Sequence, residues 1–411
     1  MIELSIKEKQ RIGKLFKYYR KKNKVQWKEI EKIISKSTYS KIEKGYVSNK
    51  NEKYIKIFEL YHTSFMYKVN FQEWLEDYLI QLNKILEEYK EEQFDSLFDE
   101  LEKELGQHKH EIIYEQYYQV ITYILNYYKY SKYMTLEEIE DCLELFKYID
   151  FEEIMMVYLI ETIYISNTNV HYSYEIENKL MSYITQINHP IVNHHLCMHY
   201  KTEGLFEKAL IGLNQLMKYW KKKENDYRYI RTLMAVFVIY KSIDKNEANE
   251  LISIFEDLKR EKRIKNTLIP RLNYNIAMFY YNDLEYKKAL PYFEENIYSF
   301  KREQDLLLVC AICTQLNLPI PNLINEINLS NHPHTVYLNF FRMKHSKVSK
   351  EKLVEYIFQD IIPNELNYQI YERPFWLIYE EELLKICDED KRYAIKLVEY
   401  IKKKKEICKK G

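Results

Sequence analysis

The sequence predicts an all-α protein, and two features of its composition indicate this class. Glycine and proline, which interrupt helices and strands, number only 6 and 8 in 411 residues, against about 7% and 5% in average proteins. Charged residues make up 30% of the chain, and apolar residues recur at helical spacing throughout. Because 411 residues are too many for one compact bundle, we expect a series of packed helix pairs.

The first 62 residues form a basic head on an acidic body. They carry 17 Lys and Arg against 7 Glu and no Asp, a net charge of +10, whereas the whole chain has 62 basic and 62 acidic residues. The remaining 349 residues therefore carry a net charge of −10. A basic module joined to an acidic body indicates a domain that binds a polyanion.

The head has the periodicity of a small helical domain. Apolar residues at i, i+3, i+4 and i+7 predict a first helix over roughly residues 7–22, and a short second helix follows it. Ser48 or Asn49 can cap a fourth helix. The expected core residues are Ile12, Leu15, Phe16 and Tyr19 in the first helix, Trp27, Ile30, Ile33 and Ile34 in the second, and Tyr54, Ile55, Phe58 and Tyr61 in the fourth.

Residues 35–45 predict a short third helix with a polar outer side. Tyr39 and Ile42 are three residues apart and can face inward, and Gly45 can end the helix. The residues that would share its outer side are Lys36, Ser37, Ser40, Lys41 and Lys44. This pattern is typical of a helix that reads DNA.

The head resembles the helix-turn-helix domain of the phage-repressor (XRE) family. The matching residues are Ile12–Lys14 and Tyr19–Lys22 in the first helix, Gln26 at the start of the second, and Ser35–Gly45 in the third. The second helix is one or two residues shorter than the family pattern. The resemblance implies that Gln26 anchors a phosphate and that the third helix enters the major groove. The predicted DNA-binding residues are Gln26, Lys36, Ser37, Thr38, Ser40, Lys41 and Lys44.

The body contains an internal repeat. Gly204–Leu210 and Leu284–Leu290 are nearly the same sequence, and each contains an alanine that follows a tyrosine by nine residues. Ala209, Ala248 and Ala289 are 39 and 41 residues apart. A small residue at this position lets two antiparallel helices approach closely. The pattern resembles the tetratricopeptide repeat, with longer helices than its 34-residue consensus.

Extending this period predicts an XRE-type domain at residues 1–66 and a right-handed superhelix of tetratricopeptide-like pairs at 67–411. The resemblance suggests that the second domain binds the ligand and forms the dimer. The helix pairs are expected at about 72–106, 110–148, 151–187, 190–221, 226–260, 266–300, 303–328 and 333–360, with a capping pair at about 365–409.

A repressor-like head followed by such repeats resembles the RRNPP superfamily of cytoplasmic peptide-pheromone receptors, which includes Rgg, PlcR, NprR and PrgX, with AimR as a relative. The resemblance implies a homodimeric transcription regulator that binds double-stranded DNA. It also implies that the superhelix binds a short signalling peptide, as in quorum sensing, and that the peptide changes the spacing or availability of the heads.

The repeat pattern selects candidate peptide-binding residues. The first helix of each pair lines the concave side of a superhelix, and the pattern commits Ile276, Ala277 and Tyr280 to internal packing. An Asn side chain can pair with both backbone groups of a peptide, and an Arg suits its carboxylate. The candidates on the remaining faces are Tyr229, Tyr240, Arg271, Tyr274, Asn275, Met278 and Tyr281.

Three function classes remain open. The first is the peptide-responsive regulator, which we favour, and the second is a regulator whose repeats bind a protein partner or a small ligand. The third is a scaffold that sequesters another protein, against which the basic head argues. For the dimer, the apolar stripe of Trp74, Leu75, Tyr78, Leu79 and Leu82 is either a seam between copies or the core of the first pair.

Enzymatic and membrane classes are not predicted. The chain has no glycine-rich phosphate loop, no catalytic motif and no run of 18 apolar residues, so we expect neither a cofactor nor a membrane span. His195 and His199 have the i, i+4 spacing of a metal pair, but no HExxH motif or carboxylate partner accompanies them in the sequence, so no metal site is predicted. The six Cys residues lack framework spacing, which indicates a reducing, cytoplasmic environment.

Overall fold

The computed structural model describes residues 6–46, 48, 51–65, 70–171, 173–302, 305–326, 335–346, 348–363 and 373–408. Apart from one isolated bridge between Ser64 and Glu111, every regular element in these ranges is helical. The predicted all-α fold class, a helix-turn-helix head followed by helix pairs, is confirmed.

The head contains four helices in the predicted order: α1 (Ile6–Lys22), α2 (Trp27–Glu31), α3 (Lys36–Glu43) and α4 (Asn51–Leu60). The predicted core of α1 is buried, but three predictions for the other helices were wrong. Trp27 and Ile33 are only half-buried, and Ile57 rather than Ile55 is buried on α4. Ile57 lies one turn before Tyr61, whose ring is also buried, so the apolar face is rotated from the predicted one. The alternative cap Asn49 lies outside the described residues.

The body consists of successive helix pairs along the chain, and each of the predicted pairs contains two helices. Short helical turns extend α9 through Asn167–His171 and α20 through Ile357–Ile361. The helices up to residue 243 are α5 (Phe71–Glu88), α6 (Phe94–Leu105), α7 (Tyr114–Tyr130), α8 (Leu136–Leu145), α9 (Glu153–Ser166), α10 (Tyr174–Ile184), α11 (Pro190–Thr202), α12 (Phe206–Lys222) and α13 (Asp226–Ile243).

The later helices follow the same alternation. They are α14 (Lys245–Arg260), α15 (Ile269–Asn282), α16 (Tyr286–Phe300), α17 (Leu306–Gln315), α18 (Leu323–Glu326), α19 (Thr335–His345), α20 (Lys350–Tyr356), α21 (Arg373–Glu389) and α22 (Ala394–Cys408). Parts of the last three predicted pairs, at 303–304, 327–328, 333–334, 347, 365–372 and 409, lie outside the described residues.

The chain divides into two compact units, Met1–Ile239 and Tyr240–Gly411. The first unit therefore contains the head, the body helices α5 to α12 and most of α13. The predicted domain boundary between residues 66 and 67 lies outside the described residues. The Trp74 stripe forms part of the first unit's core, because Leu75, Tyr78, Leu79 and Leu82 are all buried. These four side chains are therefore unavailable as a seam between copies.

The repeated alanines lie where the helices of a pair approach closely. Ala209 is fully buried where α11 packs against α12, and Ala289 is fully buried where α15 packs against α16. The repeated residues around them make the same contact, since Lys208 Nζ lies 3.9 Å from the Tyr200 ring centre and Lys288 Nζ lies 5.4 Å from that of Tyr280. The two matching sequence segments thus build matching structures.

None of the helices in the described part of the chain combines the length and apolar character of a membrane span.

Candidate nucleic-acid interface and ligand-binding face

The ends of α3 are fixed by local hydrogen bonds. The Ser35 hydroxyl caps the helix by accepting from the Thr38 backbone N–H at 3.4 Å. Gly45 adopts the left-handed conformation (φ +84°), and the N–H of Tyr46 donates to the carbonyl of Lys41 at 3.0 Å. This geometry terminates the helix at a glycine, as the sequence predicts.

Tyr39 and Ile42 point into the head, with 0% and 1% of their surface exposed. The predicted DNA-binding residues therefore lie on the other side of α3 or, for Gln26, directly before α2. Gln26, Lys36, Ser37, Lys41 and Lys44 are exposed, and Thr38 and Ser40 are half-buried.

The polar groups on this side of α3 differ in their availability. The hydroxyls of Ser37 and Thr38 lie 3.3 and 2.8 Å from that of Ser35, so they belong to the first turn of the helix. By contrast, the side chains of Ser40, Lys41 and Lys44 make no hydrogen bond or ion pair within the described residues. The second half of α3, with Lys44 directly after its end, thus presents two free cations and a free hydroxyl, which suit contacts to phosphates and base edges.

Trp27 connects the three helices of the motif, a role that the sequence analysis missed by assigning it to the core. Its ring lies 5.0 Å from Lys36 Nζ and 4.6 Å from the Arg20 guanidinium carbon. Arg20 Nε in turn donates to Glu43 Oε1 at 2.7 Å. The ring therefore holds Lys36 by a cation–π contact, while the ion pair joins α1 to α3. An aromatic residue at the start of such a short second helix was the available sequence signal.

The side of α1 that faces away from α3 lies against the body, within the same unit. The Tyr18 hydroxyl donates to Asp141 Oδ1 at 2.7 Å, and Lys22 Nζ lies 2.8 Å from Asp141 Oδ2. Near residue 64, the Ile112 N–H donates to the Ser64 carbonyl at 2.9 Å. The head is therefore held by the body while the α3 side remains exposed.

Most of the predicted ligand residues lie on one face of α15, in the second unit. Arg271 is exposed, and Tyr274, Asn275 and Met278 are half-buried along the same face. Neither Arg271 nor Asn275 makes a hydrogen bond or ion pair with any described residue. A half-buried, unpaired amide beside an exposed guanidinium can pair with the backbone and carboxylate of a peptide.

The other predicted ligand residues are placed differently. Tyr229 and Tyr240 are half-buried on α13, but Tyr229 belongs to the first unit and Tyr240 to the second. Tyr281 was wrongly assigned, because it is only 1% exposed and lies in the core of the second unit. It follows the fully buried Ala277 by one turn and continues that buried row. Tyr280, which the repeat pattern placed inside, is half-buried instead.

The first unit also contains a buried charge cluster that the sequence analysis did not predict. The Glu161 carboxylate lies 2.8 Å from Arg228 Nη1 and 2.6 Å from Arg231 Nη1, and it accepts a hydrogen bond from Tyr128. Burial opposes a charged Glu161, but Arg228 and Arg231 keep its pKa well below the ordinary value. The carboxylate and both guanidinium groups are therefore charged.

His195 and His199 of α11 have carboxylate partners that the sequence around them lacks. His195 Nε2 lies 3.9 Å from Glu161, and His199 Nδ1 lies 2.8 Å from Glu177 Oε1. The two carboxylates come from α9 and α10, so local spacing could not reveal them. Within the described residues, no group of three or more His, Cys, Asp or Glu side chains has the arrangement of a metal site.

Comparison with known proteins supports the fold. No protein-family model and no curated protein matches the chain. Among solved structures, the apo form of the quorum sensor NprR from B. thuringiensis matches with a TM-score of 0.53 and 14% sequence identity. The match covers 81% of this chain and 100% of that chain. The likeness shows that the two proteins share a fold.

Proposed function

We propose that the protein is a DNA-binding transcription regulator whose repeat domain responds to a short peptide. The observation that carries the DNA half is the exposed side of α3, where Lys36, Lys41 and Lys44 project from a helix fixed at both ends. The positive charges of these three lysines give this side a favourable interaction with phosphates. The hydroxyl of Ser40 and the long lysine side chains can also reach base edges.

The ligand half of the proposal rests on α15 and on the shared fold. Arg271 and Asn275 lie on one helical face with Tyr274 and Met278, and the first two have unpaired polar groups among the described residues. This face offers hydrogen bonds to a peptide backbone together with adaptable apolar contacts. The solved structure of similar fold is a quorum sensor, which agrees with a signalling ligand.

We further propose that the active form is a homodimer. A single head of four short helices contacts too few bases for useful specificity, whereas two heads about 34 Å apart read two half-sites one DNA turn apart. Light scattering of the full chain, alone and on a two-site operator, measures this. A monomeric mass in both cases contradicts the dimer.

The experiment that tests DNA binding selects an operator from random duplexes and compares two variants of the full chain. Lys36→Ala with Lys41→Ala removes two cations from the exposed side of α3. Lys53→Ala with Lys56→Ala removes two cations from α4 and serves as the control. Both variants lower the net charge by the same amount, so a difference between them in operator preference reports where the cations lie and not how many there are.

Only the α3 variant should lose preference for the selected operator. Equal operator preference in both variants would show that α3 does not read DNA.

For the ligand, we expect a short peptide from an adjacent reading frame to bind in a calorimetric titration. Recovery of a protein partner or a small metabolite in place of any peptide would favour the alternative regulator, whose repeats bind those ligands.

A further inference from the structure

Helix α1 has two opposite sides with different partners. Gly13, Phe16 and Arg20 lie on the side that faces α3, and at 100° per residue the row of Arg11, Lys14, Tyr18, Lys21 and Lys22 lies about 180° away. This second row is the basic side of α1. Five acidic residues of the body lie against it or beside it, and we call them the acidic ridge: Glu115, Asp141, Glu144, Asp150 and Glu152.

Each cation of the basic side has its own carboxylate on the ridge. The four N···O distances are 3.8 Å for Arg11–Glu152, 3.0 Å for Lys14–Asp150, 3.1 Å for Lys21–Glu144 and 2.8 Å for Lys22–Asp141. One such pair near the surface contributes little, about 0–1 kcal/mol. Four pairs along one helix form a network whose charges match in order and spacing.

Two buried tyrosines add directional hydrogen bonds to this network. Tyr18 is 3% exposed and donates to Asp141, and Tyr19 is 7% exposed and donates to Glu115. Burial and the neighbouring carboxylates raise the pKa of both hydroxyls, so both remain protonated donors at neutral pH. Gln116 also donates to the Tyr19 oxygen at 2.9 Å.

Glu144 is the ridge carboxylate that faces Lys21 of α1. Burial raises the pKa of Glu144, but hydrogen bonds from Lys147, Tyr148 and Lys21 outweigh it and hold the pKa at about 2. The Tyr148 ring adds a cation–π contact, with Lys21 Nζ 5.6 Å from its centre. A charged carboxylate therefore faces Lys21 throughout the physiological pH range.

We propose that the acidic ridge is a docking surface for the chain's own α1, which withholds the basic side of the head from DNA. The inference rests on the proposed DNA-binding function. It assigns the acidic ridge as the partner of the side of the head that does not read DNA. Ridge carboxylates and DNA phosphates compete for the same four cations. Docking therefore lowers the affinity of the head for unrelated DNA. DNA binding then depends on the α3 side, where the sequence is read.

Lysine acylation of the full chain without DNA tests the docking. Asp141→Asn with Glu144→Gln removes the partners of Lys21 and Lys22. Glu137→Gln with Glu140→Gln removes two carboxylates of the same helix that form no hydrogen bond or ion pair with α1 among the described residues. We expect Lys21 and Lys22 to react several-fold faster in the ridge variant only, as measured by mass spectrometry. Equal rates in the ridge variant and the wild type would overturn the docking.

A charge-exchange experiment distinguishes the loss of an ion pair from a general loss of folding. Asp141→Lys alone should increase the labelling of Lys21, and adding Lys22→Glu should restore protection, because the pair is then reversed. Increased labelling that persists in the exchanged variant would show general damage and overturn the docking. A lowered melting temperature that the Glu137→Gln, Glu140→Gln control shares would do the same.

The salt dependence of binding to unrelated duplex DNA tests the competition. Freeing two cations should steepen the slope of log K against log salt by about 1.8 in the ridge variant, at about 0.9 per phosphate contact. An unchanged slope would overturn the competition. If no variant bound any DNA, the proposed function would fail and the competition with it, while the acylation rates would still decide the docking.

Discussion

The Arg228 guanidinium lies 2.8 Å from the Glu161 carboxylate, with 4% and 1% of the two side chains exposed. Arg228 also donates to the carbonyl of Leu86 at 3.3 Å and to the Tyr128 hydroxyl at 2.7 Å. One buried side chain thus joins α5, α7, α9 and α13 within the first unit. Its position depends on Glu161, whose carboxylate also balances part of the charge of Arg231.

Replacing the carboxylate of Glu161 should destabilise the first unit strongly. Glu161→Gln leaves the buried Arg228 and the half-buried Arg231 without this counter-charge. Breaking a buried pair in this way costs about 3–5 kcal/mol. Urea unfolding followed by circular dichroism measures the change. Glu175→Gln is the control, because Glu175 pairs with Lys179 on the surface and its loss should leave the midpoint nearly unchanged. A similar small effect of both variants would contradict a structural role for the cluster.

Gly13 should tolerate no side chain, because α1 and α3 approach closely there. A β-carbon at residue 13 would lie 2.3 Å from the backbone carbonyl oxygen of Ile42, and backbone cannot move away as a side chain can. We expect Gly13→Ala to lower the stability of the head by about 1–3 kcal/mol and to weaken operator binding by tilting α3. Gln10→Ala, on an exposed turn of the same helix, should leave hydrogen exchange in α1 and α3 unchanged. Wild-type exchange and affinity in Gly13→Ala would show that the two helices are not so close.

Stability should fall as the pH drops below about 6.5, in part because of His194. Burial, together with the neighbouring His195 and Arg231, lowers the pKa of His194 well below its usual value. Since the unfolded histidine titrates near pH 6.5, its unfolded form binds a proton first as the pH falls. The contribution of His194 is therefore present above pH 6.5 and is lost as the pH falls toward the folded pKa.

Chemical denaturation at several pH values measures this loss in the wild type and in His194→Gln. The variant should show a shallower decline between pH 7 and 5, by at most about 1.4 kcal/mol per pH unit for one proton. Parallel curves for the two proteins would assign the pH dependence to other groups.

The sequence predicted the helices well because their signals are local. Amphipathic spacing and capping residues depend on near neighbours in the chain, and the alanine period extends that information to the repeats. The sequence determines less well which face of a helix is buried, as Ile57 and Tyr281 show. Each differs from the expected residue by only one or two positions, and the choice depends on which neighbouring helix covers that face.

The contacts of the acidic ridge and of Glu161 could not be predicted from the sequence. Lys22 and Asp141 are 119 residues apart, and Arg228 and Glu161 are 67 apart. The charge totals show an acidic body and a basic head, but they contain no information about which carboxylate meets which cation. Such pairings require the positions of helices that are distant in the chain.

Arg271 and Asn275 on the face of α15 carry the polar groups that should bind the proposed peptide. Asn275 is half-buried with an unpaired amide among the described residues, and Arg271 lies one turn before it. An amide that both donates and accepts can replace the hydrogen bonds that a peptide backbone loses on leaving water. The guanidinium can bind a terminal carboxylate through two parallel hydrogen bonds.

Asn275→Ala and Arg271→Ala should therefore each weaken peptide binding by about 1–3 kcal/mol without lowering the melting temperature, since neither side chain makes a hydrogen bond or an ion pair with a described residue. Calorimetric titration with the peptide of the neighbouring gene measures the affinity. Lys287→Ala removes an exposed cation from α16 and is the matched control for Arg271. Equal affinity in all three variants would move the peptide site away from α15. A loss shared by the Lys287 variant would indicate long-range attraction by net charge, because a specific contact to the peptide cannot be lost at a residue outside the binding face.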